Sequence, residues 1–285
     1  MADAFTPQTA AIKLSHWLDA LATVGVDRFP IDVEQLALSV GSQLKWKERI
    51  FKVQAAPIKN FEGGLFHIDS KGWALLYNDK IMSNGRIRFT QAHELGHYLL
   101  HRDRQQQFEC SSRDVLEDDK ERNIEAEAHD FAASLLMPLN HFRKHVPDGI
   151  DLDALSDAST HFGVSLTAAA LRWIKSTQES AVLVLSRDGY ILWSVSSDHA
   201  RTKSGAYIKT KGRVIEVPAG SLAADPNMPS SRIGENVALK VWFPHAHVEA
   251  TAREMKIRCD NYDYTLTLLY LSKGEKVWKP FEAEE

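Results

Sequence analysis

The sequence predicts an α+β protein with more than one compact unit, and three observations lead to this prediction. Apolar residues recur at helical spacing in several segments of the first 175 positions, whereas after position 180 they favour strands. The length of 285 residues exceeds what one hydrophobic core usually organises. Hydrophobic residues make up 44% and charged residues 25%, a composition typical of globular proteins that argues against wholesale disorder.

Charge and cysteine content exclude several classes of protein. A formal net charge of -4 and a pI near 6.3 leave no overall basic field for a nucleic-acid backbone, so direct DNA binding is not expected. Two cysteines, Cys110 and Cys259, are too few for a disulfide framework and favour a cytoplasmic protein. No signal-peptide pattern and no apolar run of roughly 20 residues occurs, so no membrane association is predicted.

The N-terminal part should consist of two helices followed by three strands. Helices are predicted at 9–24 and 32–40, where Gly25 and Gly41 act as stop signals. Strands are predicted at 45–53, 65–68 and 73–77, with a turn at Asn84-Gly85.

Two longer helices should follow, one capped by Thr90 and running to about position 101, the other at 120–137 and ended by Pro138. A helix pair at 152–161 and 165–175 has the spacing of a helix-turn-helix. The remaining pattern predicts strands at 181–185, 190–195, 237–243 and 264–271.

Residues 93–97 read His-Glu-Leu-Gly-His, an H-E-x-x-H motif. On a helix, His93 and His97 lie one turn apart on the same face, so both imidazoles can bind one metal ion. Glu94 lies about 100° further round, from where its carboxylate can reach water beside the metal. The motif predicts a zinc hydrolase with one ion per chain, or another divalent metal, and with Glu94 as the general base.

The motif leaves the third ligand open. A metzincin would have Gly and His where this chain has Leu100 and Asp103, and a deformylase would have a cysteine upstream of the motif. Both cysteines lie downstream of His97. The remaining common arrangement takes a glutamate from a later helix.

Glu125 is the best candidate on that later helix. Six apolar residues form a stripe there: Ile124, Ala128, Phe131, Ala132, Leu135 and Leu136. Glu125 falls within this stripe, where a carboxylate requires a cation, and Glu121 is its rival. Glu127 and His129 lie at the edges of the stripe. Gly96 costs about 1 kcal/mol inside a helix, which indicates the close approach of another helix, such as the one that carries the third ligand.

Two blocks, 86–101 and 125–138, resemble the ImmA/IrrE family of zinc peptidases, and the similarity extends over roughly residues 30–174. By this resemblance, the metal ligands are His93, His97 and Glu125. The resemblance also makes Glu94 the catalytic glutamate.

The chain departs from the family pattern at His129, where the family usually has Asn. Two roles are therefore predicted for His129: it contacts the metal ligands, or it binds the metal itself. A His or Tyr that stabilises the oxyanion is also expected; Tyr98 and His101 lie nearby in the sequence, which leaves this role unassigned. His101 lies about 12 Å along the helix axis from His93, too far to share its ion, so its imidazolium should stabilise the helix end or line the cleft.

The resemblance also implies a function and a domain order. Family members typically cleave a partner helix-turn-helix repressor of the Xre type, which relieves transcriptional repression after stress. The longer members combine a peptidase unit, a helix-turn-helix-like unit and a GAF-like sensory unit. The expectation for this chain is a zincin-like metallopeptidase domain at 1–145, a small helical unit at 146–179 and a β-rich C-terminal domain at 180–285.

An alternative function belongs to a different class. The protein would then be a metal-binding transcriptional regulator, or a toxin-antitoxin or prophage component, that acts by complex formation rather than by cleavage. The intact Glu94 favours the enzyme, because a protein that only binds needs no general base.

Overall fold

The computed structural model describes residues 6–59, 61–110, 119–146, 150–228, 230–259 and 263–278; the side chains of residues 110 and 119–122 lie outside that description. Two compact units are present, Met1–His145 with Ala158–Ser165, and Val146–Asp157 with Leu166–Glu285. The mixed α+β class is confirmed. The three-part division of the chain stays a prediction. Among the described residues, no helix has the length and apolar composition that crossing a bilayer requires.

The first unit combines helices with a four-stranded sheet. Its elements are α1 (Pro7–Ala22), α2 (Val33–Gln43), β1 (Ile50–Ala56), β2 (Gly63–Ile68), β3 (Gly72–Asn78), α3 (Asn84–Leu100), β4 (Gln107–Cys110), α4 (Asp119–Leu136) and α5 (Leu139–His145). The strand order is β1-β3-β2-β4, with β1 parallel to β3 and β2 antiparallel to both neighbours. Helix α3 packs against the sheet and against α4, and α4 also packs against α1.

Helix α3 begins at Asn84, so the predicted N-cap at Thr90 and the predicted turn at Asn84-Gly85 are wrong. Ser83 is the N-cap, and its hydroxyl accepts a hydrogen bond from the backbone N–H of Arg86. Gly85 lies in the first helical turn, where a Cβ would stand 2.8 Å from the carbonyl carbon of Val164. The glycine is therefore a packing requirement, which the sequence pattern presents as a turn signal.

The sequence also misplaces the edges of the sheet. Strand β1 begins at Ile50 instead of position 45, because Lys45 adopts a left-handed conformation with φ of 56°. Strand β4 is not predicted at all, because its four residues are too few for their alternation of polar and apolar side chains to indicate a strand. It forms through pairing with β2, where Phe108 lies opposite Leu65.

The second unit is built on an antiparallel sheet with strand order β6-β5-β9-β8-β7. Its strands are β5 (Ala181–Arg187), β6 (Tyr190–Ser196), β7 (Ser230–Ala238), β8 (Thr251–Cys259) and β9 (Tyr264–Leu271). The helices predicted near 152–161 and 165–175 are present as α6 (Leu152–Phe162) and α7 (Leu166–Ser176). The strand predicted at 237–243 is wrong, because β7 ends at Ala238 and Leu239–Val241 forms a 3₁₀ turn.

Candidate metal centre

Helices α3 and α4 approach each other closely at Gly96. A Cβ on Gly96 would lie 3.0 Å from Cδ1 of Phe131 and 3.2 Å from the Cα of Ala128. The expectation that another helix approaches Gly96 is confirmed, and that helix is the one that carries Glu125. Because Gly96 has no side chain, the two helix backbones come close enough for polar side chains of α3 and α4 to meet.

Replacing Gly96 with leucine should therefore force α3 and α4 apart. We expect G96L to lower the free energy of unfolding by roughly 1–3 kcal/mol, the usual cost of overpacking a core. Chemical denaturation of the metal-free protein measures this loss. The matched control is A126L, which introduces the same side chain on the exposed face of α4 and should change stability by about 0.5 kcal/mol or less. Equal stability of the two variants would contradict the packing role of Gly96.

Three side chains from the two helices bring their polar atoms together. Nε2 of His97 lies 3.0 Å from Nε2 of His93, which in turn lies 3.0 Å from Oε2 of Glu125. Nε2 of His97 lies 3.1 Å from Oε1 of Glu125, which closes the triangle. Both histidines are buried, with 1% and 0% of their surface exposed.

The spacing of these atoms suits a zinc ion. Zinc bonds of about 2.0–2.2 Å in a tetrahedral arrangement place neighbouring ligand atoms about 3.3–3.6 Å apart. The observed separations of 3.0–3.1 Å fall slightly below this range, so a small outward shift of the side chains would admit the ion. Two imidazole nitrogens and a carboxylate are also the donor types that zinc prefers.

The carboxylate of Glu125 is held in its ionised form. Burial alone would raise the pKa of Glu125, but the hydrogen bonds and charges of His93 and His97 outweigh it and place the pKa well below its ordinary value. For His97, burial dominates and lowers the pKa, which favours the neutral imidazole. An ionised carboxylate and a neutral imidazole are the protonation states in which these groups bind metal.

His129 is a second possible nitrogen ligand. Ligand atoms of His93, Glu125 and His129 all lie within 4.8 Å of one another. The ring of His129 is exposed, and its Nδ1 lies 3.0 Å from the backbone oxygen of Glu125. His97 and His129 thus both bring a ring nitrogen near His93 and Glu125, and the separations of His97 are 3.0 and 3.1 Å. The rival carboxylate, Glu121, has a side chain outside the described residues.

Glu94 is a fully buried carboxylate. Its side chain is 0% exposed, and neither of its oxygens has a hydrogen-bond partner among the described residues. Burial, together with the negative charge of Glu125, raises the pKa of Glu94 well above its ordinary value. An unpartnered buried carboxylate costs stability. Its presence beside a cluster of metal-binding groups is therefore better explained by chemistry than by folding.

The sheet shapes the wall behind these side chains. Gly63 of β2 lies against α3, where a Cβ would stand 3.0 Å from Oε1 of Glu94 and would collide with Thr90. Phe108 of β4 stacks on the ring of His97 with centroids 4.6 Å apart and planes inclined by 19°. The missed strand β4 therefore contributes directly to the site.

The two other cleft candidates occupy buried positions. Tyr98 donates a 2.8 Å hydrogen bond to the backbone oxygen of Glu48, and burial raises its pKa to about 12. That position in the core does not support an oxyanion role for Tyr98. His101 is 0% exposed and lies between His97 and Glu127, and burial lowers its pKa. The backbone N–H of His101 donates to the backbone oxygen of His97 at the end of α3. Its ring favours the neutral form and lies against His97 and Glu127, rather than lining the cleft as a cation.

Comparison with known proteins identifies the family of one domain and a structure of similar fold. Residues 47–173 match the peptidase M78 family model, described as the IrrE N-terminal-like domain. A solved structure described as a Mycobacterium tuberculosis transcriptional regulator aligns with a TM-score of 0.57 and 15% identity, over 93% of this chain and 76% of that chain. At that identity the likeness shows a shared fold alone. No curated protein matches the chain significantly. Residues 47–173 of this chain are thus an IrrE N-terminal-like domain of the ImmA/IrrE (peptidase M78) family.

Proposed function

We propose that this protein is a zinc-dependent endopeptidase that cleaves a helix-turn-helix repressor in the cytoplasm and so relieves transcriptional repression. The observation that carries the proposal is the triangle of His93, His97 and Glu125, with separations of 3.0–3.1 Å, beside the buried carboxylate of Glu94. The family of residues 47–173 supports a peptidase, and the small number of cysteines suits a reducing compartment.

Each residue would have a distinct task. His93, His97 and Glu125 would hold the ion, which when bound supplies Lewis acidity to a peptide carbonyl and eases the deprotonation of water. Glu94 would accept the proton of the attacking water on a carboxylate oxygen and pass it to the amine of the leaving peptide. Burial of Glu94 keeps its carboxylate away from bulk water, which makes it a stronger base than an exposed glutamate.

An extended peptide has a place to bind beside these groups. Strand β4 lies at the edge of the described sheet, where an extended peptide would pair with it as a further strand. A cleft of about 560 Å³ lies along β4 and includes Phe108, Ile124 and Glu125 among its lining residues. An extended substrate segment that pairs with β4 would run along this cleft.

The proposed substrate class comes from the family resemblance, and the similarity to a transcriptional regulator is compatible with it. The alternative is a metal-binding regulator that acts by complex formation, which would use the same fold without cleavage. Both candidates have a protein partner, and neither requires direct contact with DNA or a membrane.

A cleavage assay with a helix-turn-helix repressor of the Xre type from the same organism tests the proposal. The purified protein is stripped with a chelator, reloaded with zinc and mixed with the repressor, and fragments are identified by mass spectrometry. We expect a cut at a defined peptide bond that appears with zinc and disappears with chelator. A stable complex without fragments, in the presence of bound zinc, would favour the regulator instead.

A further inference from the structure

We propose that His101 and Glu127 are positioning residues that fix the tautomer of His97 and strengthen its binding to the metal. This inference rests on the proposed function, because it assigns a role to two side chains that lie behind a proposed ligand. They touch neither substrate nor metal, and would act only through the ring of His97.

The three side chains form a continuous hydrogen-bonded chain. Nδ1 of His97 lies 3.1 Å from Nδ1 of His101, and Nε2 of His101 lies 2.8 Å from Oε2 of Glu127. His97 and His101 belong to the C-terminal end of α3, whereas Glu127 comes from α4. The two rings are fully buried, and Glu127 has 30% of its side chain exposed at the outer end.

Only one arrangement of protons satisfies every link of this chain once a metal is bound. Nε2 of His97 faces His93 and Glu125 and must offer its lone pair to the ion, so the ring carries its proton on Nδ1. That N–H donates to Nδ1 of His101, which must then be unprotonated. His101 consequently carries its proton on Nε2 and donates it to the carboxylate of Glu127. The opposite tautomer of His101 would place two N–H groups against each other.

The hydrogen bonds of His97, His101 and Glu127 prevent a rotation of the His97 ring that stacking does not prevent. Phe108 lies almost parallel to the ring of His97 and therefore restricts the plane of that ring. A flip of the imidazole within the same plane exchanges the positions of its nitrogen and carbon atoms, and stacking does not oppose this flip. The hydrogen bond to His101 does oppose it, because only one orientation places Nδ1 opposite an acceptor.

The carboxylate of Glu127, the last group in this series of hydrogen bonds, also affects the strength of metal binding. A hydrogen bond to an ionised group is stronger than one between neutral groups, and here it polarises His101 so that its Nδ1 is a better acceptor. The N–H of His97 is then drawn outward, which increases the electron density at Nε2. Such partners of metal-binding histidines typically change metal affinity by 10–100-fold.

Removing the charge of Glu127 tests the inference with little risk to the fold, since this side chain is partly exposed. We expect E127Q to weaken zinc binding by about 10-fold and E127A by up to about 100-fold, measured by competition with a chromophoric chelator. The thermal midpoint of the metal-free protein should change little. The matched control is D130N, which removes a negative charge from an exposed position of the same helix and should leave zinc affinity within about 2-fold.

A second measurement reads the tautomers directly. Long-range ¹H–¹⁵N spectra of the zinc-loaded protein should show His97 protonated on Nδ1 and His101 protonated on Nε2. The inference would be overturned if E127Q and the wild-type protein bound zinc with equal affinity, or if His101 were protonated on Nδ1. Either result would leave the proposed peptidase intact. Failure of the unchanged protein to bind zinc would instead overturn the proposed function, and the positioning role with it.

Discussion

Replacing Glu94 with glutamine should lower the rate of repressor cleavage by roughly 10²–10⁴-fold, the usual contribution of a general acid–base group. The glutamine side chain has nearly the same volume but cannot accept a proton from water. Zinc content should stay unchanged, because the proposed ligands are His93, His97 and Glu125. This variant therefore separates metal binding from catalysis.

The stability of E94Q follows from the environment of the native carboxylate. Burial raises the pKa of Glu94, which means that the folded protein disfavours the ionised form. A neutral amide avoids this cost, so the metal-free variant should be at least as stable as the unchanged protein in thermal denaturation. Lost cleavage would then not be explained by unfolding.

The control for this experiment is E34Q, which makes the same substitution at an exposed position of α2. It should cleave the repressor at the unchanged rate. If E94Q, with zinc bound, cleaves as fast as E34Q, Glu94 has no part in the reaction. Loss of zinc from E94Q would show that Glu94 contributes to metal binding.

Removing the ring of His97 should abolish stoichiometric zinc binding. We expect H97A to lose more than about 100-fold in zinc affinity, because a lost ligand should exceed the effect of losing a residue that only supports a ligand. Dialysis against a competing chelator, followed by elemental analysis of zinc per chain, measures this effect. A large loss of affinity is expected because Nε2 of His97 lies close to both His93 and Glu125.

The matched variant is H129N, which introduces the asparagine that the family resemblance leads us to expect at this position. Because the ring of His129 is exposed and its Nδ1 lies against the backbone oxygen of Glu125, we expect H129N to keep zinc within a few-fold of the original affinity. If H129N loses the ion and H97A keeps it, the second nitrogen ligand is His129 instead of His97. The two results together assign the nitrogen ligands without a bound structure.

Local patterns were sufficient where a property depends on neighbours along the chain. The spacing of His93 and His97 places both rings on one helical face, and the structure brings their Nε2 atoms to 3.0 Å. The apolar stripe on α4 singled out Glu125, whose carboxylate lies beside both rings. The roles of these residues stay predictions, but their convergence follows from periodicity and from the need of a buried carboxylate for a cation.

Local patterns failed where the deciding contact is distant in sequence. The start of α3 was misplaced because Gly85 indicates a turn, whereas in the structure its missing side chain accommodates the backbone at Val164. Strand β4 was missed because pairing with β2, not its own sequence, forms it. Tyr98 belongs to the same helix as the motif, yet its hydroxyl meets the backbone of Glu48.

The sequence by itself therefore determined the α+β class, the family resemblance and the set of side chains from which a metal site can be built. Only the tertiary structure decided how those side chains are supported: Phe108 against His97, Gly63 against Glu94, and Glu127 behind His101. The physical reason is that helical periodicity specifies which residues share a face, whereas the partner of that face depends on how separate segments pack.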